Sequence, residues 1–191
     1  MAGILGTRQN MVKGAYSAEP VDFQHRYFIV TGCTTGSLGF ATALQLLAQD
    51  AVVSVTVRNN SEAYAAALRE HWLLAPIKIF TLLMWLCRSS VRHEAFVRAY
   101  EATSLRLDVL INYVGIHLDL MSRWTGPLLS TDGIEIQWRV NYLGTAHLTY
   151  RLQPLLKTSA AISGDGRVVN VASQLHSKGL NTEFFYAAVA Q

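Results

Sequence analysis

Charged side chains are scarce in this 191-residue chain, at 15% of residues against roughly 25% in an average soluble domain. With 51% hydrophobic residues, so little charge calls for a deeply buried framework, such as a parallel sheet covered on both faces, or for a partner over some apolar surface. The Lys and Arg residues sum to a net charge of +3 but form no basic run, which argues against nucleic-acid binding. Cysteine is limited to Cys33 and Cys87, too few for a disulfide framework and outside any metal-ligand spacing. That usage suits a reducing compartment, and a cytoplasmic location is expected. The histidines (His25, His71, His93, His117, His147 and His176) are dispersed, so no metal site is expected. A Gly-x-Ser-x-Gly elbow is absent, which removes one hydrolase class. The four tryptophans read as packing. The longest apolar stretch, Leu73 to Cys87, is broken by Pro76 and Lys78 and falls short of the ~20 residues of a spanning helix. It reads as a buried strand with flanks, so no membrane span is expected. Residues 1–22 lack the basic-then-apolar layout of a signal peptide. With Gly3, Gly6, Gly14 and Pro20 they read as a loose arm before one domain over 23–191. No repeat or low-complexity tract is visible.

What is present is an alternation of two periods. Short β-branched or aliphatic runs at Tyr27–Thr31, Ala51–Val57, Ile77–Leu86, Leu107–Tyr113 and Arg167–Val171 read as strands. Between them, Ser37–Gln49 carries Phe40, Ala43, Leu44 and Leu47 on one helical face. Ser61–Trp72 reads as a helix, Ser89 or Ser90 can cap one through Thr103, and Thr131–Leu156 is predicted mostly helical with Asp132 near its start. Strands alternating with helices predict an α/β fold, a doubly wound parallel sheet in a Rossmann-like three-layer α/β/α arrangement.

The chemistry concentrates after the first strand. The turn reads Thr31-Gly32-Cys33-Thr34-Thr35-Gly36-Ser37-Leu38-Gly39, with a strand before it and an amphipathic helix after it. Glycine admits backbone angles that other residues avoid and lets the chain approach a pyrophosphate closely. The helix N-terminus then offers free N–H groups and partial positive charge. An ordinary tight strand-to-helix turn is the plain alternative. Arg58 lies nineteen residues after Gly39, in Val57-Arg58-Asn59, where an acidic residue would bind the ribose 2′-hydroxyl of NAD. An arginine there suits the 2′-phosphate of NADP, or is a solvated surface arginine.

At this point the chain resembles the short-chain dehydrogenase/reductase family. Leu107-Asp108-Val109-Leu110-Ile111-Asn112-Tyr113-Val114-Gly115 looks like the family's Asn-Asn-Ala-Gly segment, with Asn112 and Gly115 kept. Thr131 to Gly144 looks like the helix that carries the catalytic asparagine, here Asn141, and Leu155-Leu156-Lys157 follows. Arg167 to Ser173 looks like the strand that ends in the catalytic serine. The similarity runs from about Tyr27 to His176. Arg58-Asn59 and the stretch from Ser173 to Gly179 look most like the retinol-dehydrogenase-like branch. The resemblance implies hydride transfer between a nicotinamide and a small or lipophilic carbonyl or alcohol. Ser173 would then orient the substrate oxygen and Asn141 would support a water relay. Thr31, Gly32, Thr34, Thr35, Gly36, Ser37, Leu38, Gly39, Arg58, Asn112 and Gly115 would line the cofactor, with NADP favoured over NAD. As plain structural residues, Ser173 would be a strand-end turn residue and Asn141 a helix residue bonded to backbone.

Four departures qualify this. The turn has one residue more than the family's Thr-Gly-x-x-x-Gly-x-Gly, so Gly39 falls late, with the expectation of a shifted helix start and weaker pyrophosphate contact. Tyr113 and Val114 replace smaller residues and are expected to crowd the cofactor ribose. Trp85 stands where the family has an Asp against the adenine, and an indole accepts no hydrogen bond from the adenine amine. The Tyr-x-x-x-Lys signature is absent: Tyr186 lies thirteen residues after Ser173, but Ala190 stands where the lysine would be. Tyr186 is therefore either the catalytic tyrosine or a loop aromatic. The family fold continues with further elements that cannot fit in the 15 residues after His176, which implies a C-terminally truncated relative. Its fifth strand would form an exposed edge, to be covered by a second copy or another partner. A catalytically silent nucleotide-binding or interaction module is the alternative to an active enzyme.

Overall fold

Valine and isoleucine at alternating positions pack against helices on both faces of a single parallel sheet. The computed structural model describes residues 21–57, 77–81, 90–117 and 128–173. Its strands are β1 (Tyr27–Val30), β2 (Val52–Val57), β3 (Ile77–Thr81), β4 (Val109–Asn112) and β5 (Arg167–Asn170). They lie in the order β3-β2-β1-β4-β5, every neighbouring pair parallel. The expected doubly wound α/β sheet is what forms. The chain builds outward from β1 to β3, then crosses to β4 on the other side of β1. That reversal leaves a crevice at the C-terminal ends of β1 and β4, the place where sheets of this kind bind ligands.

Helix α1 (Leu38–Leu47) covers one face, where Ala43, Leu46 and Leu47 meet Phe28, Val30, Val53, Val55, Val109 and Ile111. Helix α2 (Ser90–Glu101) and the long helix α4 (Thr145–Ser163) cover the other face. There Phe96, Val97, Tyr100, Leu148, Leu152 and Leu155 enclose Ile29 and Leu110. Successive strand residues thus serve opposite cores, the period-2 consequence of the pleat.

The last long helix departs from its predicted span. It begins as α3 (Ile136–Trp138), widens into a π-helical segment (Arg139–Gly144), and continues as α4. Residues 128–135 form a tight turn instead of helix. Ser130 Oγ accepts from Ile134 N–H at 3.1 Å, Gly133 takes φ +77°, and Leu129 bridges Glu135. Asp132 does not cap the helix. It accepts from Ser130 Oγ and pairs with the buried Arg139 at 2.8 Å. Glu135 caps instead, accepting from Trp138 N–H at 2.8 Å. At the far end, α4 passes Leu156 and stops only at Gly164, whose left-handed φ of +74° closes it. The predicted helix over Ser61–Trp72 and the outer part of the predicted third strand fall outside the described residues.

Two polar clusters tie the layers together. At the N-terminal edge of the sheet the fully buried Asp108 accepts from Tyr27 N–H (2.8 Å), Arg106 (2.8 Å) and Ser163 Oγ (2.9 Å). Burial pushes its carboxyl up, but these donors outweigh it and hold the group below the usual aspartate value. Between α2 and α4, His93 Nδ1 lies 3.0 Å from His147 Nδ1. Glu94 lies 3.7 Å from His147 Nε2 and 2.6 Å from Arg151 Nε. Among the described strands β3 and β5 are the sheet's two edges, and in and just after β5 Val168, Val169 and Val171 are about 40% exposed. No helix among the described residues is long and apolar enough to cross a membrane.

Candidate functional site

The turn after β1 is held from three sides. Thr31 N–H donates to Ile111 O at 2.9 Å. Thr31 Oγ1 accepts from Tyr113 N–H (3.1 Å) and Val114 N–H (3.3 Å), joining the turn to the β4 exit. Gly32 N–H reaches Thr56 Oγ1 at 3.3 Å and Cys33 N–H reaches Thr56 O at 2.9 Å, joining it to the end of β2. Gly32 sits at φ +71°, and a Cβ there would stand 3.0 Å from the Tyr113–Val114 peptide. Ser37 caps α1: its Oγ accepts from Phe40 N–H at 3.1 Å and donates to Gly32 O at 3.1 Å.

Gly39 carries the close helix-to-strand approach. A Cβ on it would meet Gly32 O at 3.0 Å and Thr31 O at 3.2 Å. The additional residue in the turn is therefore absorbed between Gly36 and Gly39, and the third glycine still does the packing work such motifs require. Above this floor, the N–H groups of Thr34, Thr35, Gly36, Leu38 and Gly39 make no hydrogen bond among the described residues. Thr34, Thr35, Gly36 and Leu38 are exposed. Unused amides at a helix N-terminus form an anion cradle, so the residues present fit a pyrophosphate.

Of the other predicted residues, Asn112, Gly115, Asn141 and Ser173 are described, and they lie around the C-terminal ends of β4 and β5. Asn112 ends β4, is buried, and donates from Nδ2 to Asn170 Oδ1 at 2.8 Å and toward Thr149 Oγ1 at 3.4 Å. Its amide is thus engaged with β5 and α4. Val171 N–H bonds Asn112 O at 3.1 Å, which brings the exposed Ser173 to the exit of β5 beside that of β4. Asn141 lies in the π-helical segment, and its side chain grips the β4 exit loop. Its Oδ1 accepts from Ile116 N–H at 2.7 Å and its Nδ2 donates to Ile116 O at 2.9 Å. A Cβ on Gly115 would stand 3.7 Å from Asn141 Oδ1. A π turn breaks the regular i→i−4 ladder and recurs at functional sites. Arg58, Trp85 and Tyr186 lie outside the described residues.

Two contributors escape a sequence reading. Thr56 stands in the valine-rich run Val52–Val57, where a lone threonine is the only available hint of a backbone partner for the turn. Tyr113, expected to crowd a ribose, also has a structural role. Continuing the alternation of β4, it packs with the α1-side core, and its hydroxyl lies 2.7 Å from Thr42 Oγ1. On the other face of the sheet, His93 is fully buried and its Nε2 has no hydrogen-bond partner among the described residues. Burial first, then His147 and Arg139, press its pKa down to about 4.

Residues 26–189 match the family model described as short chain dehydrogenase. The chain is 35% identical over 158 residues to human WW domain-containing oxidoreductase, covering 81% of this chain and 34% of that protein. It is 34% identical over 172 residues to bovine dehydrogenase/reductase SDR family member 13, covering 89% and 41%. The chain therefore spans less than half the length of these curated relatives. Among solved structures, the Pseudomonas aeruginosa RhlG/NADP active-site complex is similar at TM-score 0.66 and 25% identity, covering 82% of this chain and 58% of that one. A short chain dehydrogenase of Escherichia coli CFT073 complexed with NADPH is similar in fold at TM-score 0.67 and 23% identity, covering 90% and 68%.

Proposed function

The chain belongs to the short-chain dehydrogenase family, and from that premise we propose that its glycine turn binds NADP(H) and serves the interconversion of a carbonyl and an alcohol. The observation that carries the reading is the set of amides at Thr34, Thr35, Gly36, Leu38 and Gly39 that make no hydrogen bond among the described residues, over a floor that glycines at 32 and 39 provide. Arg58 follows directly on β2 and supports NADP over NAD, since a guanidinium pairs with a 2′-phosphate. The NADP in the similar RhlG structure agrees with that preference.

When bound, the nicotinamide supplies or takes the hydride. Ser173 Oγ then orients the substrate oxygen, and Tyr186 gives that oxygen its proton in reduction or takes it in oxidation. Asn141 holds the β4 exit loop through Ile116, and by the family resemblance it would support a water relay behind the site. The resemblance to the retinol-dehydrogenase-like branch favours a lipophilic substrate.

One observation favours a second reading, a nucleotide-binding module without turnover. Ala190 stands where the family has lysine, and an unassisted phenol titrates near ~10, a poor match for proton transfer at neutral pH. The test is NADPH oxidation by the purified chain against a panel of aldehydes and ketones, with Tyr186→Phe alongside. Turnover abolished by that substitution supports the enzyme. NADPH binding with no turnover across the panel supports the module.

A further inference from the structure

Tyr113 occupies a place that the glycine turn depends on. The turn's backbone leans on it: Gly32 packs against the Tyr113–Val114 peptide, with 3.0 Å left for any Cβ, and Thr31 Oγ1 accepts both N–H groups of that pair. Its side chain then crosses to the neighbouring helix, where the hydroxyl meets Thr42 Oγ1 at 2.7 Å. Thr42 lies three residues beyond Gly39, on the same face of α1, and Gly39 is the residue pressed onto Gly32 O. Tyr113 therefore touches the layered contact at both ends, through its main chain under Gly32 and through its side chain one helical turn past Gly39. A smaller residue at position 113 would remove the side-chain bond from the β4 exit to α1.

We propose that the Tyr113–Thr42 hydrogen bond is a clasp that fixes the N-terminal turn of α1 against the β4 exit, making Tyr113 and Thr42 positioning residues for the dinucleotide. The claim rests on the cofactor reading above and deepens it. The free amides at Leu38 and Gly39 ride on the first turn of α1, while those at Thr34 to Gly36 ride on the loop. An anion is gripped by both sets only when helix and loop keep a fixed separation. Ser37 fixes the loop side of that separation through Gly32 O. The clasp fixes the helix side.

The experiment compares the full chain with Tyr113→Phe, Thr42→Val and the double variant, which keep the ring and the side-chain volume. NADPH affinity is read by tryptophan fluorescence titration, and amide exchange of residues 38–42 without nucleotide by mass spectrometry. Each single variant should weaken NADPH binding about fivefold, the value of one hydrogen bond, and the double variant should be no weaker than the singles. Exchange should quicken over residues 38–42 while the sheet core keeps its protection, which a general loss of stability would not produce. Unchanged affinity in both single variants overturns the proposal, and so do additive losses. Should the unmodified chain bind no NADPH, the cofactor reading fails. The clasp is then decided by exchange alone, where unaltered rates over 38–42 in Tyr113→Phe overturn it.

Discussion

Acidification should unfold this protein in part through a single imidazole, His93. The ring is fully buried between α2 and α4. Its Nδ1 lies 3.0 Å from His147 Nδ1, so one of the two rings donates to the other, and Glu94 stands 3.7 Å from His147 Nε2. His93 Nε2 is buried with no hydrogen-bond partner among the described residues. Charging it puts a cation into a fully buried place beside His147 and the guanidinium of Arg139, and burial with these two neighbours brings its pKa from 6.5 to about 4. In the unfolded chain the group titrates near its ordinary value. Above about pH 6.5 neither state binds the proton and this group contributes no pH dependence. Between 6.5 and 4 the unfolded chain takes up a proton that the native state refuses, so stability falls as pH falls, and below about 4 the loss levels off. At about 1.36 kcal/mol per tenfold change in proton affinity, the full loss is roughly 3 kcal/mol. Urea unfolding of the unmodified chain and His93→Leu at several pH values from 7.5 to 4 measures it. The difference between the two curves removes the parallel contribution of Asp108 and the other carboxylates. The stability of the unmodified chain relative to His93→Leu should drop by roughly 3 kcal/mol across that window. Parallel curves would refute the reasoning.

Other perturbations follow from the same geometry. Asp108→Asn removes the charge that three donors converge on, and should cost about 3 kcal/mol in urea unfolding at pH 7. Because the folded carboxyl is held below its unfolded value, its contribution is full above the ordinary aspartate range and fades as pH drops through the depressed one. Gly39→Ala places a Cβ 3.0 Å from Gly32 O, and should weaken NADPH binding at least about tenfold while costing about 1–3 kcal/mol of stability. Gly166→Ala, whose Cβ would fall 2.5 Å from Leu156 O at the other end of the sheet, should destabilise without a comparable effect on NADPH affinity per unit of stability lost. Asn141→Ala breaks both bonds to Ile116 and should loosen the β4 exit, seen as faster amide exchange at Ile116.

The framework was legible in the chain because strand alternation and helical periodicity are local. Tyr27–Val30, Val52–Val57, Val109–Asn112 and Arg167–Asn170 each fall within the predicted runs. The glycine turn was legible because its residue types answer backbone needs: positive φ at Gly32 and Gly36, a cap at Ser37, close approach at Gly39. What remained hidden depends on tertiary partners. His93 and His147 are 54 positions apart and meet only because α2 packs on α4. The tie from Tyr113 to α1 shows only once the pleat of β4 sends its ring toward that helix. The helix start moved from Thr131 to Ile136 because Ser130, Asp132 and Gly133 find turn partners that compete with the helix. The π widening around Asn141 has no local signature, since its side chain is drawn to Ile116, 25 residues away.

The central claim is that the turn after β1 is a working dinucleotide cradle, and calorimetric titration of the full chain with NADPH tests it most directly. Saturable one-to-one binding, tighter than for NADH and weakened at least about tenfold in Gly39→Ala, is the result expected. Absence of binding heat at any accessible NADPH concentration, in a chain whose unfolding remains cooperative, would contradict it.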